Sequence, residues 1–449
     1  MRDLLILIIV ASGGLIALRH PFVGAMLWTW VSIMNPHRLA WGFIQEAPVA
    51  LFIALCTLIG LLMTREKRSP LIGSPVIWLI ALMIWISLTT IFAFHPERSL
   101  IQLEKIMKID GMVLVTLMLV RTRREMQVFA WVLAFSVAFF GIKGGIFTLL
   151  TGGNFRVWGP PGSYIEENNA LATAVIVTIP LLRFLQTTLQ HSWQKHLMTV
   201  SMLLCGVSAI GSHSRGALLA ISAMLVLFWW RGKNKLLTAL ILLVVGFSIL
   251  SFMPENWWTR MHTLETYEQD RSAMGRINAW WMAWHLAQDR FFGGGFSIYN
   301  EYIYRIYAPD PTFVVAAHSI YFTMLGEHGF PGLFIYLALW IATWRSAAWL
   351  RKNAPAHPET AWCTQLGAMA QVSMVGFAVG GAFLSLAYFD YPYDLMALVV
   401  AARYWVENKG WEHEPKPEPL KKPFGISLFF GDCLHNSDKN LQRPNKRSP

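Results

Sequence analysis

Apolar runs separated by short polar connectors dominate this sequence. A membrane-crossing helix needs about 20 predominantly apolar residues, and runs near that length recur along most of the chain. Alternating patterns typical of strands do not recur, so the pattern predicts helices. The first two runs are short for a full crossing. The spans, about 12 or 13 in all, are predicted near residues 4–18, 22–34, 49–64, 74–94, 106–120, 126–150, 169–188, 197–211, 216–230, 236–253, 318–344, 362–386 and 391–405.

One polar segment is much longer than the other connectors and divides the chain. We expect N-terminal transmembrane helices over residues 1–253, a large exported catalytic loop over 254–317 and C-terminal transmembrane helices over 318–405. Residues 406–449 are rich in Pro, Lys and Asn, which is typical of a disordered tail, and we expect it to be cytoplasmic. Because nearly everything else is apolar, the chemistry is predicted to involve the loop.

Composition agrees with this pattern. Of the 449 residues, 55% are hydrophobic and only 14% are charged, whereas soluble domains usually have about 25% charged residues. The sequence therefore predicts an all-α polytopic membrane protein. Its first apolar run lacks a small-residue cleavage motif, so we expect a retained helix. The four cysteines have no metal-ligand spacing, and neither a zinc site nor a disulfide framework is predicted.

The net charge of +11 indicates topology and not nucleic-acid binding, because Lys and Arg cluster in short connectors and the tail. Short loops rich in Lys and Arg stay in the cytoplasm. The connectors at 65–68, 121–124, 231–235 and 345–352 are therefore predicted to be cytoplasmic. The alternating connectors then share the exported face, which is the periplasm in a Gram-negative bacterium: 95–105, 151–168, 212–215, 254–317 and 387–390.

Two arginines on the exported face are candidate anion ligands. Arg215 lies in the tight turn GSHSRG between two spans, and Arg276 opens an apparent amphipathic helix rich in Trp. A guanidinium presents a fork of donors matched to phosphate oxygens. An interfacial Arg reaching toward lipid headgroups is the alternative for Arg215, and Arg260 and Arg271 compete with Arg276 on residue type alone.

A histidine and a loop add further candidate groups. His318 stands just before an apolar span, where it could act as a general base or be a hydrogen-bonded interfacial residue. The loop RVWGPPGSYIEENN contains a Gly-Pro-Pro-Gly turn, and its polar groups could bind substrate or be merely solvated. Those groups are Arg156, Glu166, Glu167, Asn168 and Asn169. The Gly293–Gly295 run lacks the Lys of a phosphate-binding loop and is interpreted as a flexible break.

No HExxH motif or similar metal-ligand pair lies on this face, so we expect neither a metal ion nor a cofactor. A metal-free site of Arg residues and one His suits a substrate with an activated leaving group. A diphosphate linked to a lipid is such a group, and arginines would stabilise the charge that develops as it departs.

The segments GSHSRGALLA, GRINAWWMAW, FFGGGFSIYNEY and AAHSIYFTMLGEHGFPGLFIYL resemble the O-antigen ligase / polymerase superfamily. Members transfer a glycan from undecaprenyl diphosphate to an acceptor on the periplasmic face. RHPFVGAMLWTWVSIMNPHRLAWGF and RVWGPPGSYIEENNALA resemble the branch of O-glycosylation ligases associated with the exosortase A system. The resemblance covers much of residues 1–345 and implies a multi-pass enzyme of the bacterial inner membrane.

The resemblance also implies roles for individual residues. Arg215 and Arg276 would bind the diphosphate, and His318 would act as base toward the acceptor hydroxyl, or position it. The reaction would invert the anomeric carbon. Possible donor or acceptor contacts are Arg156, Asn168, Asn169 and Ser214, whereas Glu327 and His328 are expected to support the site.

Three alternatives remain at this stage. A polysaccharide polymerase would use the same donor with a second lipid-linked glycan as acceptor. A transporter of lipid-linked glycan would carry buried charges within its spans, and the predicted spans are nearly free of charge, with Lys143 and Arg183 as the main exceptions. A non-catalytic scaffold would not need Arg215, Arg276 and His318 on one face.

Overall fold

The computed structural model describes residues 2–65, 67–232, 234–262 and 271–414. Residues 263–270 of the long loop and 415–449 of the predicted disordered tail lie outside these ranges. Every regular element in the described ranges is a helix, which confirms the all-α prediction. The α-helices are α1 Arg2–Ala17, α2 Pro21–Met34, α3 Val49–Met63, α4 Ser74–Ile91, α5 Pro96–Leu119, α6 Arg123–Leu150, α7 Asn168–Thr188, α8 Ser192–Gly211, α9 Arg215–Arg231, α10 Lys235–Ser251, α11 Glu255–His262, α12 Arg271–Asp289, α13 Glu301–Tyr307, α14 Ile320–Asn353, α15 Ala361–Gly381, α16 Asp390–Glu407 and α17 Gly410–His413.

Several of these helices have the length and apolar character of membrane spans. Within the described ranges, four do so by themselves: α4, α6, α7 and the segment Ile320–Ala356 that contains α14. Helices α2 and α3 are apolar but shorter. The chain is therefore a polytopic helical membrane protein, and the larger number of spans stays a prediction.

Helix α7 forms the centre of the bundle. Nearly all of its side chains are buried, including Val175, Leu182 and Leu185. A helix that is apolar on every side is stable only when other helices surround it, and α7 packs against α6, α8, α9 and α15. Its N-terminus at Asn168 directly follows the Gly-Pro-Pro-Gly loop, so the loop is anchored to the core of the bundle.

The Gly293–Gly295 run is a fixed contact with α14, and its interpretation as a flexible break is wrong. Gly294 N–H donates to the Gly326 carbonyl and Gly295 N–H to the Glu327 carbonyl, each at 2.9 Å. Gly295 has φ +72°, and a methyl group there would lie 2.2 Å from Ala93 Cβ. Only glycine permits both the conformation and this approach of the backbone. Contacts between segments so far apart in sequence are not visible in a local pattern.

Helix α14 is kinked at the same place. Gly329 has φ 67° and ψ −175°, and Pro331 follows it within the helix. The carbonyl of Phe291 lies against Gly329, where an added methyl group would approach it to 2.2 Å. The segment after α12 therefore packs into the kink and fixes the first turns of α14 relative to α12.

Buried carboxyl groups are more common in the bundle than the sequence suggested. The exposed fractions are 3% for Asp110, 6% for Glu327, 4% for Asp390 and 4% for Asp394. The interpretation of the spans as nearly free of buried charge is therefore wrong. Asp110 lies well inside α5, because this helix already begins at Pro96, and Asp390 is the first residue of α16. Both aspartates were predicted near the ends of spans. Lys143 and Arg183, the predicted exceptions, are exposed.

Candidate functional site at the start of α14

His318 lies one residue before the end of the return segment, residues 308–319, which leads from α13 into α14. Side chains of α12 hold this segment. The Asn278 amide donates to the Asp310 carbonyl at 2.8 Å, and Trp280 Nε1 donates to the Ala317 carbonyl at 2.8 Å. The Trp280 ring stacks on Phe322 in the first turn of α14, with centroids 5.0 Å apart. The residue before His318 is thus tied to α12 by a side-chain hydrogen bond.

His318 itself has a left-handed backbone, with φ 45°. That conformation is uncommon for a residue with a side chain and costs on the order of 1–3 kcal/mol. Such residues persist where the surroundings over-determine them, and they concentrate at functional sites. The return segment and the first turn of α14 supply that constraint here. His318 is partly buried, so its ring remains reachable from outside.

Two charged side chains from other segments act on His318. The pKa of His318 is lowered, first by burial and then by the positive charge of Arg276, while the carboxylate of Glu167 opposes the shift. The imidazole is therefore neutral near pH 7 and able to accept a proton. Arg276 belongs to α12 and Glu167 to the loop before α7, so three distant segments meet around this histidine.

The turn that contains Arg215 is built by buried hydrogen bonds. The Asn168 amide donates to the Ser212 carbonyl at 2.7 Å, and His213 Nε2 lies 2.9 Å from the Gly153 carbonyl. His213 also has a left-handed backbone, with φ 58°. The Ser214 hydroxyl oxygen accepts from the Ala217 N–H and caps α9. The loop and the turn therefore form one unit, in which Arg215 is the first residue of α9.

Phe383 connects this turn with α12. A methyl group at Gly216 would lie 3.5 Å from Phe383 Cβ, and the Phe383 ring centroid is 6.4 Å from that of Trp280. The first turn of α9 and the α12 side chain that holds Ala317 therefore contact the same ring. The structure in this way brings the segments of Arg215, Arg276 and His318 to one end of the bundle.

The other predicted contact residues differ in their placement. Asn168 and Ser214 are buried and use their side chains within the turn, so their observed bonds are structural. Asn169 is partly buried in the first turn of α7, and Arg156 is exposed on the loop. Substrate contacts by these four residues remain predictions. Of the competitors for Arg276, Arg271 lies 5.0 Å from the centre of the Phe313 ring.

Sequence reasoning gave too little weight to Glu167 and to a buried network in α14. Tyr388 donates its hydroxyl to Glu327 Oε2 at 2.6 Å, and His328 Nε2 lies 2.7 Å from that hydroxyl. His328 Nδ1 lies 2.7 Å from Thr89 Oγ1, whose hydroxyl donates to the Ile86 carbonyl at 3.0 Å. The expectation that Glu327 and His328 support the structure agrees with these bonds.

The predicted amphipathic helix exists as α12, and it exposes aromatic side chains. Trp281 and Trp284 are 51% and 39% exposed, and with Trp280 and Phe322 they line an open apolar groove of about 440 Å³. Exposed Trp is typical of membrane–water interfaces. A position of α12 at the membrane surface stays a prediction.

The structure thus defines a polytopic helical membrane protein with two arginines and a histidine on segments that meet at one end of the bundle. The comparison with known families is consistent with that class. The family model described as O-Antigen ligase matches residues 200–337, which include Arg215, Arg276 and His318. This match supports the O-antigen ligase superfamily and indicates glycan transfer of the ligase or polymerase type. Residues 1–190 match a family of unknown function, DUF5935. No curated protein matches the chain.

The hydrogen bond from Trp280 to Ala317 gives a first prediction. We expect Trp280→Phe to keep the stack on Phe322 but to remove the N–H that the Ala317 carbonyl accepts. Loss of one such bond costs about 0.5–1.5 kcal/mol, and looser placement of His318 should lower kcat roughly 3- to 10-fold. The control is Trp281→Phe, at the exposed neighbouring position. Equal kcat values for the two variants, at equal amounts in the membrane, would contradict a positioning role.

Proposed function

We propose that this protein transfers a glycan from undecaprenyl diphosphate to an acceptor hydroxyl of a lipid or protein on the periplasmic face of the bacterial inner membrane. The observation that carries the proposal is His318, held in a left-handed conformation where the charges of Arg276 and Glu167 both act on it. Membership of the O-glycosylation branch associated with the exosortase A system is part of the proposal, because the resemblance of the loop and of residues 19–43 favours it.

In the proposed reaction, His318 removes the proton of the acceptor hydroxyl while the oxygen attacks the anomeric carbon. The bond between that carbon and the diphosphate oxygen breaks, and undecaprenyl diphosphate leaves with the bonding electrons. Arg215 and Arg276 stabilise the negative charge on the departing diphosphate, which preorganised donors do most effectively in a site with little water. A single displacement inverts the anomeric configuration. The residues supply base and charge stabilisation without a metal ion.

Two alternatives have specific support. A polymerase of surface polysaccharide would use the same residues with a lipid-linked glycan as acceptor, and the family match is compatible with either acceptor. A transporter of lipid-linked glycan is favoured by the buried carboxyl groups of Asp110, Asp390 and Asp394, since ionisable residues inside membrane bundles often mark transport paths. The left-handed His318, on which the charge of Arg276 acts, has no evident use in transport, so transfer remains the first proposal.

Deletion of the gene, followed by complementation, tests the three functions. The readouts are surface glycans, glycoproteins and the side of the membrane on which lipid-linked glycan accumulates. If the protein is a ligase, the deletion strain accumulates lipid-linked glycan at the periplasmic side, whether as single units or as complete chains. The molecules that lose their glycan in this strain identify the acceptor. A polymerase predicts shortened surface polysaccharide. Accumulation of lipid-linked glycan on the cytoplasmic side would identify a transporter and contradict our proposal. Loss of in vitro transfer in EDTA would contradict the proposal that transfer needs no metal ion.

The charges around His318 predict a shift in the pH profile. Glu167 opposes the lowering of the His318 pKa, so Glu167→Gln should lower that pKa further. The neutral base would then persist to lower pH, and the acidic limb of kcat/KM would move to lower pH. The matched control is Glu166→Gln, one residue earlier in the exposed loop. A movement to higher pH, or equal movement in both variants, would contradict the assignment of His318 as the titrating base.

A further inference from the structure

A second polar cavity lies away from the His318 site. It has a volume of about 380 Å³ and is bounded by α2, α5, the residues just after α2, loop residues 162–164 and the first residue of α16. The described residues that line it include neither the two arginines of the candidate site nor His318. Its polar walls carry Ser32, His37, Lys105, Tyr164 and Asp390. The matched family that covers this region has no assigned function.

Two pairs of opposite charge line this cavity: Glu104 and Lys108 form an ion pair, whereas Lys105 and Asp390 are not in contact with each other. Asp390 is 4% exposed and accepts a hydrogen bond from the Ser32 hydroxyl. The Lys105 ammonium lies 4.0 Å from the centre of the Tyr164 ring. Lys105 and Asp390 attract each other, yet the ion pairs formed among the described residues do not include one between them. A small polar group fits between a donor and an acceptor arranged in this way.

His37 adds a neutral donor and acceptor to the wall. Burial, helped by the neighbouring Arg38, lowers the pKa of His37 to about 4. Its imidazole is therefore uncharged near pH 7 and presents one N–H and one acceptor nitrogen. The cavity lies among α2, the start of α3, α5, the connector after α2 and the loop before α7.

This combination selects among ligand classes. A phosphate would meet the carboxyl groups of Glu104 and Asp390 as well as the two lysines, and a lipid chain would leave the polar walls without partners. Neighbouring hydroxyl groups satisfy both charges, because one donates to Asp390 while the next accepts from Lys105. The aromatic rings of Trp28 and Tyr164, which also line the cavity, offer apolar surface for the C–H face of a ring. Hydroxyl-rich carbohydrate has both kinds of group.

We propose that this cavity is a carbohydrate subsite that holds sugar units of one glycan-transfer substrate beyond the reacting centre. The inference rests on the proposed transfer function and extends it. The Gly-Pro-Pro-Gly loop joins the two sites: Tyr164 lines the cavity, and Glu167 acts on His318. Three residues of chain span at most about 11 Å. A glycan that occupies both sites therefore follows the loop over a few sugar units.

Binding measured separately from transfer tests the subsite. The probe is the oligosaccharide that mild acid releases from the lipid-linked glycan accumulated by the deletion strain. It is titrated against the full chain in lipid nanodiscs. We expect wild type and His318→Ala to bind it equally, and Asp390→Asn to bind it about tenfold or more weakly, since a hydrogen bond to a charged group is lost. The control is Glu301→Gln, an exposed carboxylate outside the cavity.

A transfer assay separates the two sources of carbohydrate. Envelope fractions of the deletion strain serve as acceptor and the lipid-linked glycan as donor. If the released oligosaccharide does not bind, an acceptor subsite predicts that Asp390→Asn raises KM for the envelope fraction about tenfold at unchanged kcat. Lys105→Gln repeats each measurement in case Asp390→Asn fails to fold. The subsite is excluded if neither variant changes oligosaccharide binding, the KM for the lipid-linked donor or the KM for the envelope fraction by more than about twofold. Loss of transfer in His318→Ala would still support the proposed function in that case.

Discussion

Replacement of His318 by Ala is expected to lower kcat of glycan transfer by about 10²- to 10⁴-fold, the usual contribution of a general base. The residue is partly buried, its pKa is lowered by burial and by Arg276, and the neutral imidazole is therefore present at physiological pH. The substitution leaves Ala317 and its bond from Trp280 in place. Binding of the lipid-linked donor should change little, because the arginines remain.

The measurement is single-turnover transfer of glycan from purified donor by protein in nanodiscs. His196→Ala is the matched control, because His196 is exposed at the other end of α8 from the Arg215 turn and should not affect transfer. Ala seldom adopts a left-handed conformation, so His318→Asn, which tolerates that conformation, separates loss of the base from a backbone effect. More than about a tenth of wild-type kcat in either variant would be incompatible with general-base catalysis by this residue.

Replacement of Arg276 by Gln should reduce kcat by about 10²- to 10³-fold, comparable to removal of one charge-stabilising donor from other active sites. It should also move the acidic limb of the pH profile to higher pH, because Arg276 lowers the pKa of His318 and its removal lets that pKa rise. The direction is opposite to that expected for Glu167→Gln. Arg276→Lys keeps the positive charge but loses the forked pair of guanidinium donors. We therefore expect its pH profile to be closer to that of wild type than its kcat is.

Arg305→Gln is the control for this arginine, since Arg305 is exposed and pairs with Glu301 at 3.7 Å in the preceding turn of α13. Arg215→Gln should resemble Arg276→Gln in rate. If Arg276→Gln weakens donor binding with an unchanged kcat and an unchanged pH profile, Arg276 binds substrate and transition state equally, and our mechanism is wrong on this residue.

The helices themselves were largely predictable because span-length apolar runs determine them. The beginning of α5 was not. Pro96 and Glu97 occupy its first turn, as is favourable at a helix N-terminus, but the charged residues that follow hide it from a hydropathy pattern. Because the hydropathy pattern did not locate the ends of α5 and α16, Asp110 and Asp390 were predicted near the ends of spans. This led to the wrong statement about buried charge.

The candidate site was predictable as a set of residues but not as a geometry. Residue type and resemblance selected Arg215, Arg276 and His318, whereas the contribution of Glu167 depends on how the loop before α7 folds onto the return segment. The structural use of Asn168 likewise depends on a contact with Ser212, 44 residues away. Such long-range pairings are set by the packing of whole helices, and a local sequence pattern carries no information about them.

The kink of α14 at Gly329 has a consequence for how the protein adapts to bilayers of different thickness. The turns before the kink are bonded to the Gly293–Gly295 segment, whereas the longer part beyond it packs on α4, α15 and α16 through Phe334 and Trp340. Spanning helices adjust to membrane thickness by tilting. Because the change of direction is already located at Gly329, we expect a bilayer of different thickness to tilt the part beyond the kink together with its neighbouring helices, while the hydrogen bonds to Gly293–Gly295 keep the His318 end of α14 in place.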